Sequence, residues 1–249
     1  MAEARLKLVP PNADAPCPRH LAIVMDGNHR WAQGRRLPRA AGHRAGAQNV
    51  KVIAKACADR GVECLTLFAF STENWARPRR EVNVLLDLMR GVLTEDLEEL
   101  NEKGAQLRFI GERSRFPRDL QALMDRAERR TAGNDRLNLA IAVNYGGRWD
   151  IVEATRRLAR GVQDGVLDPE AIDERCFATH LSLGDLPPPD LCIRTGGDRR
   201  ISNFLLWDFA YTEFYFTPRF WPDFDPEHLD HAFADFASRQ RRYGRRASA

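Results

Sequence analysis

An acidic side chain followed by a run of cations is the feature of this sequence best suited to chemistry. Asp26 comes directly after an apolar run, residues 21–25, and is followed by Gly27 and Asn28. The cations that come next are Arg30, Arg35, Arg36, Arg39, His43 and Arg44. This clustering favours a polyanionic ligand, because guanidinium groups and backbone N–H groups bind phosphate oxygens. Mg²⁺ binds one or two carboxylates together with substrate phosphates, so the pattern suits a magnesium diphosphate.

A simpler interpretation of the same residues is structural. Asp26 would cap a helix whose arginine side chains lie in water. The number of cations close to one carboxylate favours the anion site over this alternative.

A second group with similar chemistry lies far along the chain. Arg194, Arg200 and Ser202 surround the pair Gly196-Gly197. Guanidinium groups and a hydroxyl that converge across a flexible turn suit a second phosphate site. A solvated loop is the alternative interpretation.

Apolar runs alternate with amphipathic stretches, and these elements must position the polar groups. Predicted strands cover residues 21–25, 64–70, 107–110, 137–143 and 191–194, and predicted helices cover 45–60, 81–100, 149–160 and a segment that begins at Asp225-Pro226. The alternation predicts an α/β fold with a mostly parallel central sheet and helices on both faces. Such sheets bind ligands at the carboxyl ends of their strands, where Asp26 is predicted to lie.

The overall composition excludes several classes of protein. The chain has 249 residues, a net charge of +3 and 43% hydrophobic residues, which fits a globular α/β protein. A charge so close to neutral does not demand nucleic acid. The five cysteines include no CxxC pair and are odd in number, so neither a zinc site nor a disulfide framework is indicated. The sequence shows no signal peptide and no apolar run of about 18 residues, which predicts a cytoplasmic protein.

Five segments, taken in order, resemble the motif set of the cis-prenyltransferases. They are MDGNHRWA (25–32), GHRAG (42–46), FSTENWARP (70–78), NYGGRWDI (144–151) and RTGGDRRISNFLLWDFAYTEFYF (194–216). The resemblance runs from about His20 to the C-terminal RYG triplet, and several long motifs in one order are far more specific than a single glycine pattern. The expected organisation is a flexible, proline-rich arm over residues 1–18 and a single catalytic domain over residues 19–249.

The resemblance implies an Mg²⁺-dependent transferase that condenses farnesyl diphosphate with successive isopentenyl diphosphates and forms cis double bonds. The bacterial members that the sequence most resembles make undecaprenyl diphosphate, the precursor of the lipid carrier for cell-wall polysaccharide synthesis. The resemblance also implies a hydrophobic tunnel beside the sheet, a homodimer, and a cytoplasmic enzyme that delivers its product to the inner face of the membrane.

Roles for individual residues follow from the same resemblance. Catalysis is implied for Asp26 and Asn74, and metal binding for Asp26 and Glu213. Substrate binding is implied for Gly27, Asn28, Arg30, Trp31, Arg35, Arg39 and His43; for Phe70, Ser71, Glu73, Trp75 and Arg77 of a mobile loop; for Arg194, Arg200 and Ser202 of the isopentenyl diphosphate site; and for Arg242 and Gly244 of a tail that reaches a neighbouring subunit. Leu107 and Leu137 are implied to wall the tunnel, with Leu137 near its floor.

Other functions stay open on the sequence alone. An Mg²⁺ phosphohydrolase would use Asp26 and the arginines on a soluble phosphoester and would leave the apolar segments as ordinary core. A non-catalytic subunit of a prenyltransferase complex is disfavoured, because such partners lack the Asp and Arg residues that this sequence retains. A nucleic-acid-binding module is disfavoured because the arginines are dispersed into short loops. The absence of a DDxxD motif disfavours the all-α trans-prenyltransferases.

Overall fold

A six-stranded, wholly parallel sheet forms the centre of the molecule. The structure is a computed structural model that describes residues 17–239. The strands are β1 His20–Val24, β2 Cys64–Ser71, β3 Ala105–Ile110, β4 Leu137–Tyr145, β5 Leu191–Arg194 and β6 Glu213–Phe216. Their order across the sheet is β3-β4-β2-β1-β5-β6, and each neighbouring pair is parallel. The predicted α/β class is confirmed.

Helices cover both faces of this sheet. They are α1 Asn28–Gly34, α2 Arg39–Asp59, α3 Arg79–Glu95, α4 Leu97–Glu102, α5 Arg118–Thr131, α6 Gly147–Gln163, α7 Glu174–Thr179 and α8 Pro226–Ser238. The predicted start of α8 is confirmed, since the Asp225 side chain accepts a hydrogen bond from the backbone N–H of His228 and Pro226 occupies the first turn.

Each strand contributes side chains to two separate cores. In β1, Leu21 and Ile23 point into the first core, while Ala22 and Val24 point into the second. Other members of the first core are Ile53, Leu86, Leu120 and Phe233, and other members of the second are Tyr145, Leu183, Phe204 and Phe209. β1 and β5 are buried at every position, and they are mostly apolar because both of their faces are covered, whereas β6 at the edge of the sheet is only partly buried.

The strand order reverses direction between β1 and β5. The chain passes from β1 to β2 on one side and from β5 to β6 on the other, yet β1 and β5 are neighbours, with Val24 beside Arg194. Connections that diverge in this way open a crevice at the carboxyl ends of the two strands. The two predicted phosphate-binding segments leave β1 and β5 at this crevice.

Two predicted helices differ from those observed. The predicted helix over residues 81–100 is broken at Asp96, which has φ −102° and separates α3 from α4. Aspartate is a poor helix former, and the Asp96 carboxylate accepts a hydrogen bond from Lys51 of α2 (2.7 Å). α2 begins at Arg39 rather than at Ala45, because Pro38 holds φ −58° and can precede the first helical turn.

α3 contains a glycine that has no packing role. A Cβ atom added at Gly91 would have no heavy atom within 4 Å beyond its own helix and chain neighbours. Glycine in a helix interior destabilises the helix relative to alanine, because its backbone loses more conformational freedom on folding. Gly91 is therefore a point of low intrinsic helix stability.

Predictions about the two ends of the chain fall mainly outside the described residues. These are the N-terminal arm up to residue 16, and Arg242 and Gly244 of the tail. Across residues 17–239, no helix combines the length and the apolar composition that crossing a bilayer requires.

Candidate active site

A deep cavity of about 1010 Å³ opens at the carboxyl ends of β1, β2 and β5. The predicted site residues that line it are Asp26, Gly27, Asn28, Arg30, Arg39, His43, Phe70, Ser71, Glu73, Asn74, Arg77, Leu107, Arg194, Arg200 and Ser202. The cavity thus brings together the two segments predicted to bind phosphate and the loop after β2.

Asp26 lies between two arginines at the polar end of the cavity. Arg194 donates from Nη2 to Oδ2 of Asp26 (2.8 Å), and Arg30 donates from Nη2 to Oδ1 (3.2 Å). The backbone N–H of Gly27 also donates to Oδ1 (2.6 Å). Burial acts to raise the pKa of Asp26, but the hydrogen bond and the charge of Arg194 outweigh it, so the pKa lies below its usual value. A bound diphosphate would compete with this carboxylate for the same guanidinium groups.

Arg194 organises the predicted second phosphate site. The residue is only 4% exposed, and its Nη1 donates to the backbone oxygen of Arg200 (2.5 Å) and to Oγ of Ser202 (2.8 Å). Arg200 reaches towards solvent and donates to Asp198 (2.7 Å). One buried guanidinium therefore connects Asp26 of the first segment to Ser202 of the second.

Three buried polar atoms at the cavity have no hydrogen-bond partner within residues 17–239. They are Oδ1 of Asn28, Nε2 of His43 and Nε of Arg194. A buried polar atom without a partner is costly, and a bound water or a ligand group is what usually satisfies it. All three residues line the same cavity, which points to one polar ligand region.

Glycines of the GHRAG motif allow α2 to pack closely against α1. A Cβ atom at Gly42 would collide with the backbone oxygen of Asn28, and one at Gly46 would lie 2.5 Å from Asn28 Oδ1. The close approach places His43 of α2 on the cavity beside the first turn of α1. The motif therefore has a packing role as well as its predicted binding role.

Glu81 is a site residue that the sequence analysis missed. Its carboxylate lines the cavity and forms ion pairs with Arg39 and with Arg77 (3.1 Å), while His43 Nε2 lies 3.9 Å away. Burial lowers the pKa of His43, and the charge of Glu81 opposes that shift without cancelling it. Glu81 lies in the first turn of the amphipathic helix α3, so its sequence context is that of an ordinary first-turn acid. Only the position of α3 next to α2 shows that it belongs to the cavity.

The loop after β2 is a single 3₁₀ turn, Thr72–Ala76, fixed at its start. The backbone N–H of Ser71 donates to Oδ1 of Asn74 (3.1 Å), and the Ser71 side chain caps the turn in return. Trp75 does not line the cavity. Its ring packs against Phe70 and Phe116, and its Nε1 donates to Asn144 (2.8 Å).

The cavity continues from its polar rim into an apolar interior between α2, α3 and the sheet. The residues that line this part include Leu85, Met89, Leu93, Leu100, Leu107, Phe109, Leu139 and Ile141. Leu137 is not among them. It lies two residues before Leu139 on the same face of β4 and is buried one layer below the lining.

Several predicted site residues lie away from the cavity. Trp31 and Arg35 do not line it and instead donate hydrogen bonds to Asp223 (2.7 Å and 3.0 Å). Glu213 is paired with Arg239 (2.7 Å). It begins β6 opposite Leu191, at the amino ends of the strands, whereas Asp26 follows the carboxyl end of β1. One copy of the chain therefore does not bring Glu213 to Asp26.

Comparison with known proteins gives consistent matches over nearly the whole chain. Residues 24–244 match the family model Prenyltransf, described as "Putative undecaprenyl diphosphate synthase". A Pseudomonas putida protein named ditrans,polycis-undecaprenyl-diphosphate synthase ((2E,6E)-farnesyl-diphosphate specific) is 56% identical over 94% of each chain. A protein of the same name from Pseudomonas syringae pv. tomato is 57% identical over 92% of this chain and 91% of its own. The solved structure of lavandulyl diphosphate synthase from Lavandula x intermedia, in complex with dimethylallyl diphosphate, has a TM-score of 0.88 and 39% identity, over 91% of this chain and 98% of that chain.

Proposed function

This chain belongs to the cis-prenyltransferase family of the undecaprenyl diphosphate synthases, and on that premise we propose that it joins farnesyl diphosphate to successive isopentenyl diphosphates and releases undecaprenyl diphosphate. The two Pseudomonas relatives carry that product and that allylic substrate in their names. In each cycle the allylic C–O bond breaks, a C–C bond forms to the acceptor, and the acceptor loses one proton. The product would serve as the precursor of the lipid carrier for cell-wall polysaccharides.

The observation that carries this proposal is the continuity of one cavity from phosphate-binding groups to an apolar interior. An isoprenoid diphosphate needs both parts, because its head is a polyanion and its tail is hydrocarbon. A soluble phosphoester would use only the polar rim, which leaves the apolar interior of the cavity without a purpose.

The donor diphosphate is assigned to the first segment. The backbone N–H groups at Gly27 and Asn28, together with Arg30, Arg39 and His43, would hold it at the N-terminus of α1. Preorganised cations stabilise the negative charge that grows on the leaving diphosphate as the C–O bond breaks.

The acceptor diphosphate is assigned to the second segment. Arg194, Arg200 and Ser202 would hold it so that its double bond lies against the departing allylic carbon. Asn74 of the 3₁₀ turn lies on the same cavity, and closure of this turn would exclude water from the allylic cation.

Mg²⁺ is the proposed cofactor, and the donor set fits a metal that substrate phosphates help to bind. Asp26 offers one carboxylate at the polar end, which is the usual protein contribution to a magnesium diphosphate. Residues 17–239 contain no group of three or more His, Cys, Asp or Glu that would form a closed metal cage. When bound, Mg²⁺ supplies charge neutralisation for the leaving group.

We propose a homodimer in which a second copy completes the site. In that arrangement Glu213 of one copy would act as a metal ligand with Asp26 of the other, and Arg242 and Gly244 would reach the neighbouring cavity. The support is the separation of Glu213 from Asp26 within one chain, together with the family resemblance. We further propose that the enzyme works in the cytoplasm and delivers its product at the inner face of the membrane.

The test is incubation of the pure protein with Mg²⁺, farnesyl diphosphate and radiolabelled isopentenyl diphosphate, followed by sizing of the extracted lipid. We expect a labelled undecaprenyl product that disappears when the metal is chelated. Release of orthophosphate without chain elongation would instead establish a phosphohydrolase. A matched pair of variants, Arg30→Ala at the cavity and Arg130→Ala at a surface ion pair with Glu98, should separate a site effect from loss of one surface charge.

A further inference from the structure

Asn203 joins three segments around the polar end of the cavity, although the family resemblance implies no role for it. Its Nδ2 donates to Oε1 of Glu73 in the 3₁₀ turn (2.9 Å). Its Oδ1 accepts from the backbone N–H of Arg148 (3.0 Å), and its backbone oxygen accepts from the N–H of Gly147 (2.6 Å). One residue thus ties the 3₁₀ turn, the N-terminus of α6 and the second phosphate segment together.

The local backbone is built to hold Asn203 in this position. Asn203 has φ 62° and Ser202 has φ 52°, a left-handed conformation that asparagine tolerates better than most residues. A Cβ atom at Gly146 would lie 2.6 Å from Asn203 Nδ2 and 2.9 Å from Oγ1 of Thr72. Only glycine at position 146 leaves room for the Asn203 amide beside the turn.

The two sides of this contact belong to different substrates in the proposed reaction. On one side Ser202, the neighbour of Asn203, accepts a hydrogen bond from Arg194 in the acceptor pocket. On the other side Glu73 belongs to the turn that precedes Arg77, and Arg77 pairs with Glu81 (3.1 Å), which also pairs with Arg39 of the proposed donor pocket. Burial acts to raise the pKa of Glu73, but the hydrogen bond from Asn203 and others from the turn outweigh it, so this pKa is lowered. The contact is therefore an amide donating to a carboxylate.

We propose that Asn203 is a positioning residue that couples the two diphosphate pockets. An acceptor diphosphate held at Arg194 and Ser202 fixes the Asn203 backbone, and the Asn203 amide then holds Glu73 and its turn against the donor pocket. The inference rests on the proposed function. Because coupling between two binding sites is reciprocal, each substrate should bind more tightly when the other is present.

The variant Asn203→Asp isolates the proposed contact. The aspartate keeps the oxygen that accepts from Arg148 N–H at the start of α6, where a negative charge is favourable. It replaces the amide donor that faces Glu73 with a carboxylate oxygen, so the hydrogen bond becomes a repulsion. Adding Glu73→Gln restores a donor and an acceptor with their positions exchanged.

The experiment is isothermal titration calorimetry of the full chain with Mg²⁺ and isopentenyl diphosphate, with and without farnesyl thiodiphosphate, a slowly reacting analogue of the donor. In the wild type we expect the analogue to tighten isopentenyl diphosphate binding. In Asn203→Asp we expect that enhancement to fall by about three- to tenfold, the worth of one hydrogen bond. The enhancement is the ratio of the two affinities for isopentenyl diphosphate, so repulsion between the new carboxylate and isopentenyl diphosphate lowers both affinities and does not change the ratio. The double variant should recover the enhancement, and Asn138→Asp, a matched change near the other end of β4, should not lose it.

Two results would overturn the inference: an undiminished enhancement in Asn203→Asp, or a lost enhancement that Glu73→Gln does not restore. Prenyl transfer by the wild type is measured in parallel. If the wild type elongates farnesyl diphosphate while Asn203→Asp keeps full coupling, only this inference fails. If the wild type forms no prenyl product, the proposed function fails and the inference fails with it.

Discussion

The ionised state of Asp26 comes from its arginine neighbours, because its partial burial alone would favour the neutral acid. Asp26→Asn keeps the shape of the side chain and removes its charge. We expect kcat to fall about 100-fold or more, the usual size of a lost acid–base or charge contribution at a reacting centre. Steady-state kinetics measure the loss, and calorimetry with farnesyl thiodiphosphate should show that donor binding survives. Turnover close to that of the wild type would remove Asp26 from the mechanism.

The pKa of Asp208 is raised, whereas that of Asp26 is lowered. Burial, and after it the charge of Asp150, raises the pKa of Asp208 to about 6 from an ordinary value of 3.8. The folded protein therefore binds this proton more tightly than the unfolded chain, and ionisation as the pH rises from about 4 through about 6 destabilises the fold. Asp208→Asn should raise the free energy of unfolding by about 2 kcal/mol at about pH 7.5 and change it little at about pH 4.

Urea unfolding at the two pH values measures this difference. Asp164→Asn, at an exposed position after α6, is the matched control for the loss of one carboxylate. An equal effect of Asp208→Asn at both pH values would mean that the raised pKa of Asp208 does not contribute to stability.

At the residue scale, the sequence indicated the types of residue at the cavity better than it indicated which individual arginines line it. Asp26, Arg30, Arg39 and Arg194, all taken from the family resemblance, line one cavity. The resemblance also included Arg35, which the rotation of α1 turns to Asp223. Residue type and spacing do not specify how far a short helix is rotated about its axis. The sequence therefore could not separate the arginines that line the cavity from those that do not.

At the element scale, five of the six described strands were predicted from their apolar runs. β6 was missed, because it begins with a glutamate and is only partly buried. β5 has the predicted limits, and β1 differs by one residue at each end. The break at Asp96 was missed, because the apolar spacing continues across it from Val92 to Leu100. Asp96 at the break bonds to Lys51 of another helix, a contact that no local pattern shows.

α3 offers a direct test of local helix stability. Gly91→Ala should raise the free energy of unfolding by about 0.5–1 kcal/mol, because alanine loses less backbone freedom and meets no neighbour at this position. Gly61→Ala is the matched control. Gly61 also has open space but holds φ +82°, so its alanine variant should be destabilised by about 1 kcal/mol. Chemical denaturation compares the two, and a loss of stability in Gly91→Ala would show that α3 needs glycine at this point.

At the scale of the whole molecule, strand order brings distant motifs together. Residues 26 and 194 are far apart in sequence, yet β1 and β5 are neighbours and their ends share one cavity. The parallel sheet was predictable from the alternation of elements. The location of the cavity at the carboxyl ends of the strands was predictable as well. The position of Glu213 at the amino ends of the strands was not, because a motif match transfers a role without saying where in the fold the residue lies.

The depth of the cavity gives a prediction about product size. Leu137 lies directly below Leu139 of the lining, so Leu137→Ala should extend the apolar interior downwards and lengthen the product. It should also destabilise the protein by about 2–5 kcal/mol, as a large-to-small change in a core does. Leu183→Ala, in the core on the other face of the sheet, is the matched control, with a similar loss of stability and no change of product. Thin-layer chromatography measures the chain lengths of the products. An unchanged length distribution would mean that Leu137 does not form the floor of the cavity.

The unpartnered atoms of Asn28, His43 and Arg194 connect the site to the survival of the protein in a cell. A ligand that satisfies them binds only the folded chain and stabilises it by about 2.7 kcal/mol at a concentration a hundredfold above its Kd. Proteases degrade the unfolded fraction, which shrinks as that stabilisation grows. We therefore expect the abundance of this protein to rise and fall with the supply of isoprenoid diphosphates, without any dedicated regulator.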